Sequence, residues 1–402
     1  MKILGVSAKT ILDSRKDKTI LVSIKTNAGN FSASSPTGKS TGKYEKKPYK
    51  KSIEGDIKVI TEFSDYFSKE IIEKFDDLRR VEDIVDRNIG ANTLFALESA
   101  VLKAIASEKF GNSSRDCQKN RQPEEQKKDV WRLINPESKK LPRLIGNCIG
   151  GGLHSNTGSE KKPDFQEFLL IPNLKSVKES YETNKKIKAD IKESLKKKDE
   201  NFGGKENDEN AWITSLNEKE VLDILKESKL PLGLDVAASS FYKRKNYNYK
   251  NPLLKRSNEE QLDYLSNLIK NFDLFYIEDP FSEEDFESFA KLLKKSPDRL
   301  VVGDDLTVTN YKRMDKAIKM KSINGIIIKP NQIGSLLEVK NVVNLARKHN
   351  IKLIFSHRSG ETEESILADL AFGFGADFLK CGINGKGRDA KIKRLIEIEK
   401  SL

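Results

Sequence analysis

The feature that most restricts the fold of this 402-residue chain is a recurring pattern. Beyond about residue 230, a short apolar run ends in a charged residue and is followed by an amphipathic stretch of helical length, six times over. The runs are PLGLD to Asp235, LFYIE to Glu278, LVVGD to Asp304, GIIIK to Lys329, KLIFSH to His357 and DFLK to Lys380, spaced 43, 26, 25, 28 and 23 residues apart. Such intervals suit one strand, one loop and one helix per unit. Parallel βα units repeated this often close most naturally into a TIM-type barrel. In that architecture the strand C-termini converge on one mouth, so the six charged groups are expected to meet there. A charge at one strand end is ordinary surface; at six equivalent ends it points to a shared site.

Upstream, strand-like runs (KILGV, TILVSIKT, NFSASS) alternate with polar turns and give way to helical spacing in RVEDIVDRNI and ANTLFALESAVLKAIASEKF. That is the pattern of a small α+β domain. Residues 111–127 are charged and nearly free of apolar side chains, which predicts a linker and a division into an α+β N-terminal capping domain, 1–130, and a β/α barrel, 131–402. A second polar stretch, 196–210, interrupts the chain that follows.

The formal charge of +12 raises nucleic acid as a partner, but lysines at 46–51, 195–198 and 243–255 are scattered, with no zinc finger, RNP motif or aromatic-interleaved basic strip. They read as solvated surface, and no nucleic-acid partner is expected. The first residues hold too short an apolar stretch for a secretory signal, and no run reaches bilayer length, so a cytoplasmic location and no membrane partner are expected. Cys117, Cys148 and Cys381 are widely spaced, without a CxxC pair, which predicts neither a disulfide framework nor a zinc site.

Carboxylates on successive strand ends, Asp235, Glu278 and Asp304, would repel one another unless a cation sat between them. Oxygen ligands in this number favour Mg²⁺, with further positions left to water and substrate. The next strand ends in Lys329. An ammonium beside a metal in a partly desolvated mouth is expected to fall from ~10.4 toward the ~7–8 useful to a general base. Abstraction of a weakly acidic proton follows from that pairing. The segment PTGKSTGK superficially suggests a phosphate-binding P-loop, but that pattern needs a glycine where Ala33 stands.

The segments VVGDDLTVTN, IIIKPNQIGSL, FSHRSGETEES, YIEDPF and LDVAASSFY strongly resemble the enolase family, and the likeness continues through GGGLHSNTGSEKKPDFQEFLLIP, SPTGKSTGKYE and, more weakly, ILDSR. IGGG, PDFQEFL and NDENAW are closest in style to archaeal members. The resemblance implies an enolase-type modified TIM barrel behind a smaller α+β domain. It implies a lyase interconverting 2-phosphoglycerate and phosphoenolpyruvate in glycolysis and gluconeogenesis, with two Mg²⁺ per active site and a homodimer or larger homo-oligomer.

By the same resemblance, Asp235, Glu278 and Asp304 hold the first Mg²⁺ and Ser40, in a mobile loop, ligates the second. Lys329 removes the C2 proton. Glu209 protonates the departing 3-hydroxyl, with Glu167 and His154 beside it; two adjacent carboxyls sharing a proton would supply an acid near neutrality. Arg358 and Ser359 bind phosphate, Lys380 faces the substrate carboxylate, and Gln166 and His357 line the pocket. His349 reads as structural.

Some positions depart from the family pattern. Thr37 and Lys39 replace the usual serine and alanine, Asn210 replaces a glycine, and Glu200 offers a second Asp-Glu pair competing with Glu209. Two other readings remain: another carboxylate lyase or racemase of the superfamily, which would ordinarily lack the Ser40 loop, His154 and the Glu167/Glu209 pair; and an enolase scaffold with a nucleic-acid role, which loss of a ligand or of the base would favour.

Overall fold

A computed structural model describes residues 1–39, 42–111, 129–155 and 161–402. Ser40, Cys117 and all of the expected linker after Gly111 lie outside the described residues.

The N-terminal sheet consists of β1 (Ile3–Leu12), β2 (Lys18–Thr26) and β3 (Gly29–Ser34), paired antiparallel in that order. Alternation decides its faces: Ile20, Val22 and Ile24 point inward from β2 and are buried. The helix Ala91–Phe110 covers β2 and β3. Its Ala96, Ala100 and Ala104 are fully buried, and these short side chains allow a close approach to the sheet.

The barrel strands are β4 (Arg143–Gly150), β5 (Glu167–Leu170), β7 (Leu232–Asp235), β11 (Tyr276–Glu278), β12 (Leu300–Gly303), β13 (Gly325–Ile328), β14 (Lys352–Ser356) and β15 (Phe378–Gly382). Between them in sequence, β6 (Trp212–Ile213) pairs beside β4, and β8 (Tyr242–Lys243), β9 (Asn246–Lys250) and β10 (Leu253–Arg256) form a separate small sheet. Pairing of β15 with β4 closes the ring of eight. β5 runs antiparallel to both neighbours, β4 and β7. The chain passes from β4 to β5 without a long crossover helix, and the first long barrel helix, Val177–Lys198, comes only after β5. The regular βα pattern therefore begins at β7.

Inside the ring, Ile145, Leu169, Tyr276, Val302, Ile327, Ile354 and Phe378 belong to a packed layer of their own. The two-residue period of a strand then aims Glu278 inward above Tyr276 and Lys380 inward above Phe378. Lys380 is not at a strand end, as the sequence pattern suggests: β15 runs on through Cys381 and Gly382, which pair with Gly146 and Asn147 of β4. Side-chain caps start several outer helices directly after the mouth loops: Asn310 before Tyr311–Lys319 and Ser335 before Leu336–Lys348 each accept from backbone N–H groups.

The N-terminal domain reaches the barrel mouth through residues 35–45. Thr37 and Gly360 exchange backbone hydrogen bonds of 2.7 and 2.9 Å, and the Asn331 amide donates to the Pro36 carbonyl at 3.1 Å.

Candidate active site

The mouth holds one polar cavity whose lining includes His154, Gln166, Glu167, Glu209, Asp235, Asp304, Lys329, His357, Arg358, Ser359 and Lys380. Glu278 is fully buried at its floor. Every site residue expected from the sequence is thus brought together, apart from Ser40, which lies outside the described residues.

At the floor, Asp235 and Glu278 stand opposite each other in the β7–β11 register. Lys380 Nζ lies 2.9 Å from Asp235 Oδ2, 2.8 Å from Glu278 Oε2 and 3.1 Å from Glu167 Oε2. Burial opposes the Lys380 charge, but Asp235, Glu167 and Glu278 hold its pKa well above the ordinary range. Glu278 is pushed well up, first by burial and then by Asp235, with Lys380 pulling the other way. Its Oε2 accepts the Tyr276 hydroxyl at 2.5 Å, while Oε1 is buried with no protein partner. Such an oxygen is costly unless it meets a cation or a proton. The donor set of Asp235, Glu278 and Asp304 fits a hard divalent cation, and the two ammoniums of Lys380 and Lys329 supply positive charge at the same carboxylates.

Asp304 follows the last residue of β12 and forms an ion pair with Lys329. Burial opposes ionisation of Asp304, but Lys329 holds it below the usual carboxylate range. For Lys329, burial pushes the amine down and Asp304 more than restores it, with Arg358 and Lys380 opposing. Its net direction among the protein's own groups is therefore upward, the reverse of the lowered value expected from the sequence, because the carboxylate outweighs desolvation. Asp279, Asp304 and Asp305 also form a tight group of acid oxygens within 4.8 Å of one another. Asp279 accepts the backbone N–H groups of Asp304 and Asp305 at 3.0 and 2.6 Å, which fixes this turn.

Across the cavity, Glu209, His154 and Glu167 form a second such group. His154 Nδ1 is 3.2 Å from Glu209 and 3.6 Å from Glu167; His357 Nε2 is 3.5 Å from Glu209, and the Asn147 amide donates to it at 3.3 Å. Burial raises the Glu167 pKa, with Lys380 offsetting part of the shift. Glu209, equally buried, is drawn well below its ordinary value by His154 and His357. The two carboxyls split as expected for close neighbours, but the raised one is Glu167, because both histidines face Glu209. Glu200, the competing acid, is exposed.

At the third side, Arg358 Nη2 forks to both oxygens of Glu45 at 3.1 Å each, and Nη1 donates to Asn331 at 3.0 Å. Ser359 Oγ accepts from the Lys39 backbone N–H at 2.7 Å and from Arg15 Nη1 at 3.1 Å. Lys39 Nζ pairs with Asp208 at 2.7 Å. Sequence reasoning passed over Arg15, although the ILDSR segment contains it, and over Asp279 and Asp305, signalled by the acid doublets YIED and VGDD.

Residues 138–402 match the family model for the enolase C-terminal TIM barrel domain. Across its full length the chain is 35% identical to the enolase of Methanosphaera stadtmanae, covering 97% of that protein. The chain belongs to the enolase family. It is similar also to the enolase of Methanothermobacter thermautotrophicus, 33% identical over all of this chain and 97% of that one, and to that of Pyrobaculum aerophilum, 43% identical over 65% of this chain and 64% of that one. As an enolase-family member the chain is an enzyme of the lyase class. Among the described residues, no helix is long and apolar enough to cross a membrane.

Proposed function

We propose that this enolase-family enzyme reversibly dehydrates 2-phosphoglycerate to phosphoenolpyruvate, as a cytoplasmic step of glycolysis and gluconeogenesis. The observation that carries the reading is a lysine amine, Lys329, beside a floor of carboxylates, facing an acid–histidine cluster across the same cavity. Asp235, Glu278 and Asp304 would hold one Mg²⁺, and Ser40 would serve a second. When bound, the metal supplies positive charge that stabilises the carboxylate of the substrate as proton loss makes it more negative.

Lys329 Nζ takes the C2 proton. With Asp304 moved off the amine, burial, Arg358 and Lys380 lower its pKa against the lesser upward pull of Glu278, which favours the neutral amine a base needs. The electron pair left at C2 becomes the C2–C3 double bond as the C3–O bond breaks. The hydroxyl leaves as water with a proton that the resting cluster keeps on Glu167 and His154 and that passes to the leaving oxygen through Glu209. Arg358 offers a planar fork to the phosphate and Ser359 a hydroxyl, Lys380 faces the substrate carboxylate, and Gln166 and His357 shape the cavity between.

A division at residues 1–130 and 131–402 and a closed homodimer complete this reading; the latter rests on twofold dimers being the commonest closed assembly. The test is absorbance of phosphoenolpyruvate formed from 2-phosphoglycerate with and without Mg²⁺. Mg²⁺-dependent product is expected, and no product under any metal condition would overturn the proposal.

A further inference from the structure

Arg388 is the largest fully buried side chain among the described residues, 1% exposed, and it makes no ion pair there. It sits in the first turn of the helix Lys386–Ser401, the positive end of the helix dipole, and its Nε has no partner. Burial without a direct ion pair and the helix dipole both work against a guanidinium at this position, and its charge acts on the Glu209 carboxylate. What the guanidinium does instead is join two parts of the active site. Nη2 donates to the carbonyls of Asp208 and Ser359, both at 3.1 Å, and Nη1 to Asn210 Oδ1 at 3.4 Å. One side is the segment that carries Glu209; the other carries Arg358 and Ser359.

The space for this link is left by a glycine. A Cβ on Gly382 would come within 2.3 Å of Arg388 Cδ and 2.8 Å of the Glu209 carbonyl. Lys188, also buried, grips the same acid-bearing segment from behind, pairing with Glu206 at 2.7 Å and donating to the Asn210 carbonyl and to Asn384. None of the Arg388 hydrogen bonds goes to Lys329, Asp304 or Lys380.

We propose that Arg388 is a positioning residue for the second half of the reaction, setting Glu209 at a fixed place relative to the phosphate-binding pair Arg358–Ser359. This rests on the enolase reading above. Its loss acts on C3–O cleavage, which needs the Glu209 proton, and spares removal of the C2 proton by Lys329.

The test compares two rates at saturating 2-phosphoglycerate and Mg²⁺: exchange of the C2 hydrogen with D₂O, followed by NMR, and phosphoenolpyruvate formation, followed by absorbance. Arg388→Lys keeps the charge and loses the fork; Arg388→Gln keeps a planar donor and loses the charge, and carries the same comparison should the first variant not fold. In each, dehydration is expected to fall roughly 100-fold, the cost of about an ångström of misplacement, with exchange held near the wild-type rate. Equal loss of both rates in a folded variant, or unaltered dehydration, would overturn the role of Arg388. Failure of the wild-type enzyme to make product would instead strike the enolase reading itself.

Discussion

Replacing Lys380 with methionine removes the ammonium held among the carboxylates of the barrel floor while keeping most of the side-chain volume. In the native arrangement its ammonium, 3% exposed as a residue, lies within 3.1 Å of three carboxylates. Taking one partner from a buried ionic cluster typically costs ~3–5 kcal/mol. An unfolding entropy of about 2.1 cal/mol/K per residue gives ~0.8 kcal/mol/K for a chain of this length, so the midpoint should fall by ~4–6 °C. Glu278 and Glu167 are both held above their ordinary values, so they take up protons early as the pH falls. A carboxyl raised in this way stabilises the fold below its unfolded pKa and loses that contribution as the pH rises. The deficit of Lys380→Met should thus be largest near pH 8, shrink toward pH 5, and be partly repaired by millimolar Mg²⁺. Differential scanning calorimetry across that range reads all three effects. A variant that melts with the wild type at pH 8, or whose deficit ignores both pH and Mg²⁺, would refute the view of this floor as a cation-seeking trio.

Two further outcomes can be checked more simply. Burial pushes Glu218 up to about 7, so its stabilising contribution is full below the ordinary carboxylate pKa and is lost as the pH rises from there through about 7. In melts between pH 5 and 8, Glu218→Gln should gain on the wild type by up to ~3 kcal/mol at the upper end; parallel curves would contradict this. Lys39→Ala removes a partly exposed pair with Asp208 beside the Glu209 segment. It should raise KM or the Mg²⁺ requirement about 2- to 5-fold. Unchanged Mg²⁺ dependence and turnover would rule out a tuning role for this lysine.

What the sequence could and could not reveal follows from strand direction. Parallel strands are buried on both faces and deliver their C-terminal residues to the mouth, so Asp235, Glu278, Asp304, Lys329 and His357 stood out as charges closing apolar runs. Because β5 is antiparallel, it delivers its first residue instead, and Glu167 lies opposite Asp235 by that reversal. No rule about strand ends would select it; only the family resemblance did. Glu209 sits in a polar segment where Glu200 looked equivalent, and the choice turns on tertiary contacts with Asn147, His154 and His357. Arg388 carries no mark in the sequence, since nothing local distinguishes a guanidinium that is buried by folding. The direction of the Lys329 shift was likewise illegible, because it depends on the balance between desolvation and one contact with Asp304.

The most direct test of the central claim, that Lys329 takes the proton from C2, is C2-hydrogen exchange of 2-phosphoglycerate in D₂O with Mg²⁺ present, comparing Lys329→Ala with Glu209→Gln. Exchange should vanish in Lys329→Ala and persist in Glu209→Gln, which blocks only the later loss of hydroxyl. Exchange that survives in Lys329→Ala would contradict the account.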